Sequence, residues 1–364
     1  MRSDIVNIVL LGAGLIGREH AALLGRNPQV KLVAIADPAE TAKATADTFG
    51  SRYFADFREM LDEMRPDGAI IALPNALHVE AALACVERGI PCLVEKPVAD
   101  TLAAAMLLVE AMERTGVPVL VGHQRRHSPD IAKARQLVED GTLGRLVALN
   151  GMWMTDKPES YFDASWRRLP GGGPLLINLI HDIDCLRFIC GDIEEVVAFT
   201  SNAVRKFEVE DTAGVCLRFA SGALGTIVMS DTAVSPYNWD TAAGQALYFH
   251  HQPENTYFLA GTKAALALPS MDLWSHETAA GHWQDPLLKR HVTLDGSRAY
   301  ENQLGHFIRV ITGEEQPLIS ARDGMMTLAT VLAIAEAGRQ RCPISVSQML
   351  DTEPAGPTIA SRTI

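Results

Sequence analysis

The feature that most constrains this chain is the alternation in its first 122 residues. Short runs that are apolar throughout, "IVNIVLLG" (5–12), "KLVAIAD" (31–37), "GAIIALP" (68–74), "IPCLVE" (90–95) and "GVPVLVG" (116–122), alternate with helical segments Gly17–Gly25, Ala39–Phe49, Asn75–Arg88 and Thr101–Thr115. A strand half-exposed to water alternates apolar and polar residues; one apolar at every position is covered on both faces. Strands alternating with helices give right-handed crossovers, so the pattern predicts a doubly wound parallel α/β sheet. Gly89 and Gly116 fall where a left-handed residue would end the preceding helix.

After residue 122 the rhythm changes. A helix over Asp130–Glu139 leads to a strand "RLVALNGMWM" (145–154), and the loop "PGGGP" (170–174) opens a helix that ends near Gly191. "EVVAFTS", "GVCLRFA", "LGTIVMSD" and "TYFLAGTKAALAL" then read as strands joined by short turns, with helices returning at Asn302–Thr312 and Ser320–Gly338. This is an α+β pattern around a large, mostly antiparallel open sheet. The division expected is 1–122, 123–350 and an extended tail, 351–364.

A length of 364 residues supports about two domains, and 48% hydrophobic residues suffice for large cores. The net charge of -12 argues against a nucleic-acid surface or an anionic membrane as partner. Six cysteines, mostly inside apolar runs and without a C-x-x-C pair, read as reduced thiols of a cytoplasmic protein. The N-terminal stretch lacks the basic start of a signal peptide, and "LAAAMLLV" (102–109) is too short to span a bilayer.

Three features of the first domain carry chemistry. Gly12-x-Gly14-x-x-Gly17 follows a strand and opens a helix, with Leu15 and Ile16 between its last two glycines. Such a turn lets the backbone approach a pyrophosphate, which the free N–H groups of the helix N-terminus then hold; this is the dinucleotide site of a Rossmann domain. Asp37 ends the second strand, 20 residues beyond Gly17, where a carboxylate accepts from the adenosine ribose hydroxyls. It would repel a 2′-phosphate, and no arginine follows at 38–41, so the expected cofactor is NAD. Leu73, Pro74, Asn75 and His78 end the third of these runs at the edge where such sheets bind ligands, and are expected to touch it. Finally, "CLVEKPVAD" (92–100) ends a buried strand in Glu95 and Lys96. Those two charges can be a solvated rim or a proton-handling pair.

In the second domain, Asn178, His181, Asp182 and Cys185 lie at helical spacing on an otherwise apolar segment, a polar stripe expected to face the cleft. His181 is the general base or acid suited to neutral pH. "HDID" is not read as a metal site, because Asp182 and Asp184 would project about 160° apart on a helix.

The glycine motif, "ALPNALHVEAALACVERGIPCLVEKPVA" and "GGGPLLINLIHDIDCLRFICG" together resemble the glucose-fructose oxidoreductase / inositol dehydrogenase / rhizopine-catabolism (GFO/IDH/MocA) family, over about residues 5–340. The resemblance implies that Lys96 and His181 are catalytic and that Glu95 orients Lys96 or touches the nicotinamide ribose. It further implies a cis bond before Pro97, Gln124 and Arg125 in contact with nicotinamide and substrate, and an open sheet that forms the oligomer interface, giving a homodimer or homotetramer. Trp166 and Arg167 of "SWRR" are expected to line the cleft on the cofactor side. One position departs from the family: Ile177 stands where many members carry an Asp four residues before the His, which leaves Asn178 as a neutral substrate contact. "SPYNWD" (235–240) and the histidines at 250–251 are left open between pocket wall and oligomer contact. The expected activity is NAD-dependent dehydrogenation of a sugar or cyclic polyol. An NAD-dependent glycosidase and a non-catalytic NAD-sensing regulator are the alternatives.

Overall fold

A computed structural model of the chain describes residues 5–245 and 249–351. The tail expected over 351–364 lies outside them from residue 352 on. The first domain forms β1 (Val6–Leu11), α1 (Leu15–Arg26), β2 (Val30–Ala36), α2 (Ala42–Thr48), β3 (Arg52–Phe54), α3 (Phe57–Met64), β4 (Gly68–Ile71), α4 (His78–Val86), β5 (Cys92–Glu95), α5 (Leu102–Thr115) and β6 (Val119–Gly122). Its six strands are parallel in the order β3-β2-β1-β4-β5-β6. Strand order reverses between β1 and β4, and the ligand crevice of such a sheet lies beyond the carboxyl ends at that point.

The sequence reading passed over β3 and α3. β3 is only three residues long, and α3 only eight, half of them charged; its start is fixed by Asp56, whose carboxylate accepts from the N–H groups of Arg58 and Glu59.

The second domain begins with α6 (Pro129–Glu139), β7 (Leu146–Met154) and α7 (Ile180–Cys190), followed by β8 (Ile193–Ser201), β9 (Thr212–Phe219) and β10 (Leu224–Ser230). After α8 (Trp239–Ala242) come β11 (Tyr257–Gly261), β12 (Ala264–Leu268), β13 (Asp272–Ser275) and β14 (Leu288–His291). The chain closes with α9 (Ala299–Ile311), α10 (Ala321–Gln340), β15 (Ile344–Ser345) and α11 (Val346–Asp351). Nine strands form one sheet, β14-β13-β12-β11-β7-β10-β9-β8-β15, antiparallel except for the β7–β10 pair. "TYFLAGTKAALAL" is two strands rather than one, because the chain turns back at Gly261–Lys263. One face of the sheet packs on α6, α7 and the second half of α10.

α9 and α10 return to the first domain. Leu304, Phe307, Ile308, Met325 and Leu328 join the core of the parallel sheet, and Val121 N–H donates to Ile319 O at 2.8 Å. Gly324 packs so closely that a Cβ there would lie 2.9 Å from Val121 Cγ2. The parallel sheet thus ends at Gly122, while its core also draws on residues from 304 on.

Candidate active site

The cofactor edge is assembled from the ends of β1, β2, β4 and β5. Gly12 has φ +95°, and a Cβ there would sit 2.4 Å from Ala72 O, so only glycine lets the turn pass β4. A Cβ on Gly17 would meet Gly12 O at 2.0 Å, whereas one on Gly14 would meet nothing within 4 Å. The open position is thus the middle glycine, whose backbone is left accessible. Gly14 also caps α1 without any side-chain hydrogen bond, and Leu15 beside it is 66% exposed. Unclaimed N–H groups at a helix N-terminus and this space fit a dinucleotide phosphate. Asp37 braces the same turn: Oδ2 accepts from Ala13 N–H and Oδ1 from Ala39 N–H, both at 2.8 Å. Each carboxylate oxygen has a second lone pair for a ribose hydroxyl.

At the end of β5, the Lys96–Pro97 peptide is cis, as the resemblance implies. Glu95 is buried and does not pair with the Lys96 ammonium. Its Oε1 lies 2.8 Å from Nε2 of His20 on α1, and its Oε2 accepts weakly from Lys96 N–H at 3.4 Å. Burial pulls the Glu95 carboxyl up, but His20 and the neighbouring Lys96 charge outweigh it and hold the carboxyl below the ordinary range. His20 was not singled out in the sequence, because a histidine one turn into a helix carries no local mark of a partner 75 residues away. Lys96 has no hydrogen-bond or ion-pair partner for its ammonium among the described residues. Burial brings its pKa down; Glu95 opposes this and Arg125 adds to it.

His78 faces inward, 1% exposed, rather than toward the mouth of the site. Its Nδ1 lies 2.8 Å from Pro97 O and its Nε2 2.8 Å from Leu73 O, so it ties the end of β4 to the Lys96–Pro97 turn. Leu73 is half-buried and Pro74 and Asn75 are exposed along the same edge.

The polar stripe of the second domain divides. Residues Leu175–Leu179 form a π-helical turn before α7, so the spacing departs from the 3.6-residue repeat assumed in the sequence. Asn178 and His181 are half-buried, while Asp182 and Cys185 lie in the interior rather than on the cleft. Tyr257 donates to Asp182 Oδ1 there and Arg125 approaches the same oxygen within 3.5 Å, while Oδ2 is buried without a hydrogen-bond partner. Burial still raises its pKa to about 6 against both neighbours. Arg125, 4% exposed, also binds Asp240 at 2.9 Å, and these two carboxylates outweigh burial to hold its guanidinium above its ordinary pKa. Asp184 accepts two bonds from Arg126, at 2.8 and 2.6 Å, and one from Thr327 at 3.0 Å. Arg126 in turn reaches Asp323 on α10. This network ties the residues after β6 to α7 and α10. Both aspartates of "HDID" are thereby occupied by arginines.

His181 therefore sits between the two domains. Its ring meets that of His123 edge-on at 6.4 Å, and its Nδ1 is buried without a hydrogen-bond partner. Burial first, then the charges of Lys96 and Arg125, hold its pKa well below 6.5. The ring is neutral at physiological pH. His123, fully buried, is brought down to about 4, chiefly by burial. Gln124 is half-buried beside it.

Trp166 is 51% exposed, and Arg167 stacks over Tyr161 at 3.9 Å and Trp166 at 5.3 Å. In "SPYNWD", Trp239 is buried and stacked on Tyr257 at 5.1 Å, while Asp240 holds Arg125; this segment builds the wall behind the site. His251 contacts Ala242 O at 3.2 Å, and residues 246–248 lie outside the described part. Lys157 was not identified from the sequence: its ammonium donates to Asn178 Oδ1 at 2.7 Å. The six cysteines are all free, four of them buried, with Cys342 partly exposed and Cys216 on the outer face of β9. No helix among the described residues is long and apolar enough to cross a membrane.

Comparison with known proteins agrees with this arrangement. Residues 6–123 match the oxidoreductase family with an NAD-binding Rossmann fold, and residues 131–267 match the GFO/IDH/MocA C-terminal domain. The chain is 31% identical to inositol 2-dehydrogenase 2 of Saccharopolyspora erythraea over 228 residues, 60% of this chain and 65% of that one, just under two thirds. It is 27% identical to inositol 2-dehydrogenase of Rhizobium meliloti over 356 residues, 94% of this chain and 99% of that protein. The structure of levoglucosan dehydrogenase in complex with NADH and levoglucosan shares the fold. Its TM-score is 0.78 at 21% identity, over 94% of this chain and 99% of that one. The chain belongs to the GFO/IDH/MocA family of oxidoreductases, and its first domain is the NAD-binding Rossmann fold of that family.

Proposed function

We propose that the protein oxidises a hydroxyl-bearing carbon of a sugar or cyclic polyol, with Lys96 and His181 handling the hydroxyl proton. The observation that carries this reading is the pairing of an ammonium without a partner with a neutral imidazole whose pKa feels that ammonium. One comes from the end of a parallel strand and the other from the second domain. Bound NAD+ supplies the acceptor for the hydride that leaves the substrate carbon. Lys96, having no acceptor of its own among the described residues, donates to the substrate oxygen and stabilises the negative charge that builds there as the hydroxyl proton leaves. His181, kept neutral by burial and by two nearby cations, takes up the hydroxyl proton. Gly12, Gly14, Leu15, Ile16, Gly17 and Asp37 hold the dinucleotide. Leu73, Pro74, Asn75, Gln124, Trp166 and Arg167 border it, and Arg125 and Asn178 border the substrate. Glu95, pinned by His20, keeps a carboxylate beside Lys96.

The test is a panel of aldoses and cyclitols with NAD+, read by the absorbance of the reduced nicotinamide. Turnover of at least one member is expected. Absence of net reduction across the panel, with cleavage of a matching glycoside, would move the protein to glycosidase chemistry.

The same reading covers assembly. The face of the nine-stranded sheet turned away from the helices carries Phe199, Leu224, Val228, Phe258 and Trp274, between 38% and 72% exposed. The strand register places these side chains on one surface. An apolar surface of that breadth is expected to close against a second copy, giving a dimer or tetramer. Light scattering at micromolar concentration checks this; a monomeric mass would remove it.

A further inference from the structure

On the second-domain side of the site, a second lysine is held among buried partners. Lys157 follows β7, and its side chain is 10% exposed. Its ammonium donates to Asn178 Oδ1 at 2.7 Å and lies 3.4 Å from Asp231 Oδ2, with the rings of Tyr161 and Trp153 at 4.5 and 5.6 Å. A lysine ammonium has three donors and no acceptor. The oxygen of the Asn178 amide must therefore face Lys157, and both amide N–H groups of Asn178 face elsewhere. Asn178 stands three residues before His181, half-buried. This corner offers hydrogen-bond donors: the third N–H of Lys157 and the amide of Asn178.

The carboxylates of this corner are already engaged. The cations acting on Lys157 are Arg205, whose side chain is 6% exposed, and Arg167. The carboxylates there are Asp231, Glu210 and Asp211, and all three already accept bonds: Asp231 from Arg205 Nε at 3.1 Å, Glu210 from Leu175 N–H at 2.9 Å, and Asp211 from the N–H groups of Val204 and Arg205 at 3.0 and 2.9 Å. Asp156 and Glu159, which also meet Arg205, are 58% and 90% exposed and screened by solvent.

We propose that Lys157 and Asn178 bind a carboxylate of the substrate, so that the preferred substrate is a sugar acid, an aldonate or uronate, rather than a neutral sugar or cyclitol. This rests on the dehydrogenase reading above. A carboxylate can accept from all these donors at once, which a single hydroxyl oxygen cannot, and bonds to a charged acceptor are the stronger kind. Burial brings the Lys157 pKa down to about 8 against the pull of Asp231. Lys157 is therefore cationic at neutral pH, and affinity for the acid falls as pH rises through about 8.

Binding is measured apart from turnover, by nicotinamide fluorescence of the protein–NADH complex. The ligands are D-gluconate, D-glucuronate and D-galacturonate against sorbitol, D-glucose and D-galactose. At pH 7 at least one acid is expected to bind about tenfold more tightly than its neutral counterpart. Lys157→Gln should abolish that ratio with NADH binding intact, and Lys157→Arg should keep it. Binding of no acid, equal binding of acid and neutral sugar by the native protein, or a ratio undiminished in Lys157→Gln overturns the proposal. Turnover separates the two readings. Selective acid binding without oxidation of any ligand leaves the carboxylate corner standing and removes the dehydrogenase. Oxidation of neutral sugars without acid preference does the reverse.

Discussion

The reading of Lys96 and His181 as one proton-handling unit is tested by replacing each and then both. In Lys96→Met the side chain keeps its length but loses the ammonium, which has no partner to strand among the described residues. Stability should therefore change little, because no buried ion pair is broken. The rate should fall by roughly two to four orders of magnitude, the usual worth of a positioned proton donor or acceptor. His181→Ala removes the neutral imidazole and should cost a similar factor, whereas NAD+ binding, built on Gly12–Gly17 and Asp37, should change much less. Since both act on one substrate hydroxyl, the double variant should lose less than the product of the single losses. The structure adds a second readout. The Lys96 charge is one of the causes that depress the His181 pKa, after burial and ahead of Arg125. Removing it must raise that pKa, so the acid limb of the kcat/KM profile in Lys96→Met should move to higher pH than in the native enzyme. Stopped-flow absorbance of the reduced nicotinamide, run across pH with the true substrate, measures both effects. Near-native turnover in either folded single variant, or an acid limb that stays in place, would refute the reasoning.

Cofactor preference rests on Asp37: NAD+ should be favoured over NADP+ by at least tenfold, about 1.4 kcal/mol. Asp37→Ala should narrow the gap while raising KM for NAD+, because the same carboxylate braces Ala13 and Ala39; equal native use of both cofactors would sink the assignment. Asp184→Asn takes the charge from a buried partner of Arg126, and truncating such pairs costs about 3 kcal/mol or more, read as a lower urea midpoint. An unchanged midpoint would show the network to be dispensable. Acid should also destabilise the fold through His123 and His127, whose pKa values in the folded protein fall from 6.5 to about 4 and about 3, largely by burial. The folded rings resist protonation while the unfolded ones accept it. Their stabilisation is thus complete above pH 6.5 and is lost as pH falls toward 4, by about 2 kcal/mol each at pH 5. Thermal melts between pH 7 and pH 5 check this; His127→Phe should flatten the slope.

What could be seen in the sequence was whatever local chemistry repeats. The parallel sheet was visible because β1, β2, β4, β5 and β6 are apolar on both faces, and the glycine turn because Gly12 and Gly17 are sterically required. β3 and α3 were not visible, being only three and eight residues long. The helix stripe misled in one respect. A π-helical turn shifts the register before His181, and Asp182 goes inward because Arg125 and Tyr257, 57 and 75 residues away, supply its partners. No periodicity contains that information. The same limit hid His20 and Lys157, whose significance rests entirely on Glu95 and Asn178.

Those distant partners also explain how a site of this kind holds its charges. Each ionisable group at its centre has been taken out of water, and what differs is whether the fold returns a counter-charge. Arg126 receives Asp184 and Asp323, Arg125 receives Asp182 and Asp240, and both stay ionised as struts between the segment after β6 and the second domain. Lys96 receives no such partner, because the carboxylate beside it is turned toward His20. His181 receives two cations instead of an anion. Paired charges hold the segment after β6 to α7 and α10, whereas the unpaired ones keep lowered pKa values: that of Lys96 moves toward neutrality, and His181 stays an unprotonated base. Redirecting Glu95 from His20 to Lys96 would therefore convert a reactive group into another strut, with no change in the residues that line the site.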